Sequence, residues 1–167
     1  TVHTAFDAFS EGTSKILADR LGLEVKSFLA PDPNYDDRGL GVITEAPIEL
    51  TEDELVGRVS DVCKSPVRFT SGMKKNGIKS VAILGGSGSS FIDDALNAGV
   101  DAFITADVKY HTFHYVFGKL LVIDPGHYEM EQFVPAALTD LLKDNLKNED
   151  IESIEISSVL TNPVSYY

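Results

Sequence analysis

Apolar residues recur along this chain in two alternating rhythms. Ser10 to Thr13 offer N-cap candidates for a helix that carries Ile16, Leu17 and Leu21 at helical spacing and ends at Gly22. Residues 25–29 read as a strand, 30–39 as a turn-rich loop, and 40–44 as a second strand. Thr51 and Glu54 form a capping box, and Leu55, Val56, Val59, Val62 and Cys63 lie on one face of the helix behind it. A strand is predicted over 67–70, a loop over 71–77, and a strand over 79–84 running into a glycine-rich stretch. Phe91, Ile92, Ala95 and Leu96 mark a helix stopped by Gly99; short apolar strands follow at 102–105 and 120–123. Phe133, Val134, Ala137, Leu138, Leu141 and Leu142 line a long helix. Pro135 either kinks it or sits at its start, because proline lacks an N–H and clashes with the preceding turn. Ile154 and Ile156 predict a final alternating strand. Strands alternating with helices imply an α/β fold whose sheet is partly parallel.

The chain has 167 residues, 43% of them apolar, enough for one domain or two small lobes around a shared core. Its formal net charge of −12 disfavours nucleic acid and anionic membranes as partners. The single Cys63 excludes an intramolecular disulfide or a cysteine-based zinc cluster. No apolar run approaches the roughly 20 residues of a membrane span, and no basic-then-apolar leader opens the chain, so a cytoplasmic protein is expected. The abrupt start at Thr-Val-His-Thr creates the expectation of a further segment upstream.

Three clusters could carry chemistry. Gly85-Gly86-Ser87-Gly88-Ser89-Ser90 lies between a strand and a helix, where backbone N–H groups can cradle a phosphate. It lacks the P-loop lysine and the Gly-x-Gly-x-x-Gly spacing, and it reads more readily as a tight turn whose glycines permit close packing. His127 and Glu131 are four residues apart, as are His3 and Asp7. On a helix that spacing allows one metal ion to be shared, or forms an ordinary surface pair. Thr105 to His111 follows a strand end and collects Asp107, Lys109, Tyr110 and His111, which can bind an anion, transfer protons or form a polar turn.

Taken in order, Gly85 to Phe91, Ala102 to His111 and Ile123-Asp124-Pro125-Gly126-His127-Tyr128-Glu129-Met130-Glu131 resemble the NIF three-like family. Its bacterial members are often labelled GTP cyclohydrolase I type II homologs. His3-Thr4-Ala5-Phe6-Asp7 and Thr161-Asn162-Pro163-Val164 are also similar to family segments, so the resemblance covers essentially the whole chain. It implies a layered α/β fold, with a mixed, partly parallel sheet flanked by helices, and two lobes facing a cleft that holds two divalent ions. It also implies a toroidal homohexamer. Asp7, His127 and Glu131 are the implied metal ligands, with His3, Lys109 and His111 near the site. Family members add two adjacent histidines from an N-terminal His-His-Pro segment that this sequence does not contain. Residues 1–167 are therefore expected to be the C-terminal major part of such a domain, with the metal weakened or completed from elsewhere.

The function expected from the resemblance is a metal-dependent hydrolase acting on a nucleotide or related small molecule. Its cofactors would be two Zn, Fe, Mn or Mg ions per complete subunit, and Lys109 or His111 would orient substrate or shuttle protons. The rival expectation is a non-catalytic metal-binding or scaffold protein. A metal-free phosphate binder built on residues 85–90 is a third.

Overall fold

The computed structural model describes residues 2–70, 77–147 and 150–166. Its strands are β1 (Glu24–Pro31), β2 (Gly39–Leu50), β3 (Arg68–Phe69), β4 (Ile78–Ser87), β5 (Ala102–Ala106) and β6 (Leu121–Asp124). Among the described residues they form one sheet in the order β1-β2-β4-β5-β6-β3. β4, β5 and β6 run parallel, while β1, β2 and the short β3 pair antiparallel at the two sides. The mixed α/β architecture is the one expected.

Each parallel strand alternates between two cores, as a strand buried on both faces must. Val81 and Ile83, Ala102 and Ile104, and Leu121 and Ile123 pack on one face with Leu17, Leu55 and Val59. Ala82 and Leu84, Phe103 and Val122 pack on the other with Ile92, Ala95 and Val116. The first face is covered by α2 (Thr13–Arg20) and α3 (Glu52–Cys63), the second by α4 (Ile92–Ala98) and α5 (Tyr110–Val116). Burying each large aliphatic chain contributes about 1.5–3 kcal/mol against exposure, which offsets the entropy of ordering the elements.

Local chemistry sets the boundaries. The Thr51 N–H donates to Glu54 Oε2 at 2.7 Å, and the Glu54 N–H donates to Thr51 Oγ1 at 3.2 Å, closing the predicted capping box. β2 runs further than expected, and its register with β4 breaks between Glu45 and Leu50, where Pro47 has no N–H to give. Pro135 sits in the first turn of α7 (Val134–Asn145), where its missing donor costs nothing, so the helix starts there. Three short helices were not foreseen as such: α1 (Thr4–Asp7), α5 and α6 (His127–Glu131).

One expectation is overturned. Ile154 and Ile156 form no strand: residues 150–166 run without secondary structure. Among the described residues they pair with no strand, and Ile156 is half exposed, so the alternation has no partner to make it a strand. Apart from Gly77, the predicted loop 71–77 lies outside the described residues. Among the described residues no helix is long and apolar enough to cross a membrane.

Cys63 is fully buried at the end of α3, and burial, helped by the nearby Glu129 charge, pushes its thiol up to about 12. Native protein at pH 8 is therefore expected to leave an aromatic disulfide reagent unreacted, and the thiol to react fully after denaturation. Rapid labelling without denaturant would contradict this packing of α3.

Candidate metal-binding site

The candidate site lies at the carboxyl ends of the parallel strands, where loops from adjacent strands converge. β4 contributes Gly86, the turn after β5 contributes Asp107, and the turn after β6 leads through Gly126 into His127. α1 brings Asp7 from the start of the chain, and α6 carries both His127 and Glu131 on one face.

His127 is held at one ring nitrogen and faces a carboxylate with the other. Its Nδ1–H donates to Asp107 Oδ2 at 2.7 Å, and its Nε2 lies 3.5 Å from Glu131 Oε1. A carboxylate only accepts, so the Asp107 contact places the ring proton on Nδ1 and leaves the Nε2 lone pair for another partner. Asp7 is fixed by Thr13, whose Oγ1–H donates to Asp7 Oδ1 at 2.7 Å.

Electrostatics binds these groups together. Partial burial pulls the His127 pKa down, but the Asp107 hydrogen bond and the charges of Glu131, Asp107 and Asp7 outweigh it, so the value is raised. Partial burial raises the Glu131 pKa, reinforced by Asp7 and Asp107 and opposed by His127 and His3. Three carboxylates around one imidazole thus form a negative cluster that a cation would relieve.

The backbone leaves room for this. Gly86 has φ +71°, and a Cβ there would lie 2.6 Å from Glu131 Oε1 and 3.4 Å from the His127 ring. Gly85 meets the Thr13 side chain as closely, and its N–H donates to Ser14 Oγ at 3.1 Å; the Gly88 N–H donates to Thr105 Oγ1 at 2.9 Å. The glycines therefore serve close packing, and two of the N–H groups a phosphate would need already have partners.

Asp124 ties the turns in place. Its side chain is only 2% exposed, yet it accepts the Val108 N–H and the Gly126 N–H, each at 3.0 Å, and pairs with Arg68. Val108 follows Asp107 and Gly126 precedes His127, so this one carboxylate fixes the chain beside both. Asp107 itself has φ +56°, a left-handed conformation uncommon for a residue with a side chain, which turns it out of β5.

The structure brings Asp7, His127 and Glu131 into one neighbourhood, with His3 near enough to act on Glu131. Lys109 is exposed immediately before α5, and His111 lines a groove with Ser89, Ser90 and Asp93. Among the described residues neither makes a hydrogen bond or ion pair with His127, Glu131 or Asp7. Asp124 was missed as a site residue, and Asp107 was read only as a member of the 105–111 cluster, not as the partner of His127. Each stands directly at the end of a parallel strand, and that position was the available signal. Among the described residues no three His, Cys, Asp or Glu side chains are already placed to hold one ion. A cleft of about 580 Å³ opens beside the cluster, lined by Arg68, His127, Tyr128, Glu131 and the 161–166 segment.

The family model described as Duf34/NIF3 (NGG1p interacting factor 3) matches residues 1–163. A GTP cyclohydrolase 1 type 2 homolog of Streptomyces coelicolor is 35% identical over 135 residues, covering 77% of this chain and 47% of the relative. One of Streptococcus pneumoniae is 34% identical over 168 residues, covering 96% of this chain and 62% of the relative. The chain spans about half the length of the curated relatives it matches. The crystal structure of a Staphylococcus aureus hypothetical protein superposes with a TM-score of 0.88 at 24% identity, covering 99% of this chain and 67% of that one. A Bacillus cereus protein related to NIF3 gives 0.87 at 19%, covering 99% and 72%. At these identities the two structures speak for the fold alone.

In chelator-treated protein the His127 ring should titrate above its ordinary 6.5 by NMR, and Asp107→Asn should lower that value. Because the folded value is raised, the stability His127 contributes is complete below about 6.5 and is lost as pH rises through the folded value. Titration at or below 6.5 would contradict the geometry.

Proposed function

The chain belongs to the Duf34/NIF3 family, and on that premise we propose that Asp7, His127 and Glu131 hold a divalent metal ion, in a protein that acts as a metal-dependent hydrolase on a nucleotide or a related small molecule. The observation that supports this reading is the Asp107–His127 hydrogen bond. Metal-ligating imidazoles characteristically give their second N–H to a carboxylate, which sets the tautomer and raises ligand basicity. Here that arrangement leaves Nε2 beside the Glu131 oxygen. One imidazole nitrogen with two carboxylates suits Zn, Mn or Fe and does not choose among them.

The residues fit such an ion by chemistry, although the ligands are not already gathered around one point. When bound, the ion would supply Lewis-acid polarisation and a more acidic water. The chain does the rest. Asp107 holds the ring orientation and Thr13 steadies Asp7; Glu131, whose proton affinity burial and neighbouring acids raise in the metal-free protein, would give up its proton to ligate the ion. A dinuclear centre would need donors beyond these three.

The ungathered ligands favour a second reading, in which the protein binds metal without catalysis. Metal-dependent turnover of nucleoside triphosphates separates the two readings. Metal content after dialysis tests their shared premise. His127→Ala is expected to abolish stoichiometric retention of zinc or manganese, and Asp107→Asn to weaken affinity about 10–100-fold while every ligand remains. Unchanged metal content in Asp7→Ala combined with His127→Ala would refute the site.

A further inference from the structure

Arg68 pairs with Asp124 in an unusual setting. The Asp124 side chain is 2% exposed, whereas that of Arg68 is 62% exposed and borders the cleft next to His127. A buried carboxylate cannot be left without its partner, so the guanidinium is held at the cleft although its far side is in water. A guanidinium carries five N–H donors. Among the described residues its hydrogen bonding to protein is confined to Nη2 on Asp124. The Phe113 ring, 5.7 Å from the guanidinium carbon, adds a second support for its plane.

Among the described residues that line this cleft, Arg68 is the only Lys or Arg, in a chain of net charge −12. Apolar and aromatic surface makes up much of the remaining wall: Pro66, Pro163, Val164, Tyr128 and Tyr166. One preset fork of donors above an apolar wall is the pattern that selects a planar or tetrahedral oxyanion on a ring-sized body. Besides Asp124, which Arg68 pairs, Asp107, Glu129 and Glu131 line the same cleft; Glu129 accepts from Asn162, and these carboxylates would repel an anion unless a cation offsets them.

We propose that Arg68 anchors the substrate in this cleft, gripping a phosphate or carboxylate group of a small molecule whose apolar body lies against Tyr128 and Tyr166 and whose other end reaches His127. The inference rests on the metal reading for the charge that balances Asp107 and Glu131. Arg68 acts as a binding residue oriented by Asp124. The surface lysines are not needed for it.

The test uses the zinc-loaded protein with phenyl phosphate, benzoate and phenol, followed by titration calorimetry. Phenyl phosphate, benzoate or both should bind at least tenfold more tightly than phenol. Preference for phenyl phosphate assigns a phosphate ligand; equal binding assigns oxyanions generally. Arg68→Lys retains a cation for Asp124 but loses the planar fork, and should weaken oxyanion binding about tenfold more than it weakens zinc binding. Phenyl phosphate and benzoate both binding no better than phenol overturns the assignment, without relying on any variant. So does an Arg68→Lys protein that binds them as the parent does. If zinc binds normally in either case, the metal reading survives; a protein that binds neither zinc nor oxyanion overturns both.

Discussion

The carboxylate of Asp124 is a charge taken out of water at the end of β6, and two neighbouring strand ends are arranged to keep it satisfied. Burying an ionised carboxylate without partners costs several kcal/mol, so its three contacts are obligatory rather than decorative. Arg68 comes from β3, the Val108 N–H from the turn after β5, and the Gly126 N–H from the turn after β6. Loosening any one of these exposes the other two to the same penalty. The arrangement therefore couples the outermost strand of the sheet to the two turns that present Asp107 and His127.

From that constraint the rest of the site follows by geometry. With Val108 pinned, Asp107 turns outward in a left-handed conformation and meets the His127 ring. With Gly126 pinned, α6 starts where His127 and Glu131 stand over Gly86, which has no side chain to obstruct them. Asp7 reaches the same place from the other end of the sequence because Thr13, at the start of α2, both packs on Gly85 and bonds to its carboxylate. Negative charge accumulates as a result: in the metal-free state the Asp107 hydrogen bond and the surrounding acids raise the proton affinity of His127 against partial burial, while burial, reinforced by Asp7 and Asp107, raises that of Glu131. A proton and a divalent cation are alternative answers to the same field.

Much of the fold was legible because its determinants are local. The two-residue alternation of β4, β5 and β6, the Thr51–Glu54 box and the glycine stops after α2 and α4 are each written within a few residues. The short helices were less legible because fewer than two turns carry no period, and α5 and α6 are held by their position after strand ends. The Ile154–Ile156 alternation misled because strand formation needs a neighbour that sequence alone does not name. At the site, the four-residue spacing of His127 and Glu131 was visible, and the resemblance supplied Asp7. The parts played by Asp107 and Asp124 depend on contacts across 20 and 16 residues, which no local pattern displays.

The most direct measurement of the central claim is native-state amide hydrogen exchange at Val108 and Gly126, compared between the unaltered protein and Asp124→Asn. Two N–H groups bonded to a buried carboxylate should exchange slowly. In the Asp124→Asn protein both should accelerate by at least tenfold, while the central-strand amide of Ile104 remains protected. Equal exchange at Val108 and Gly126 in the two proteins would contradict the claim that Asp124 holds the strand ends, and with them the site, in register.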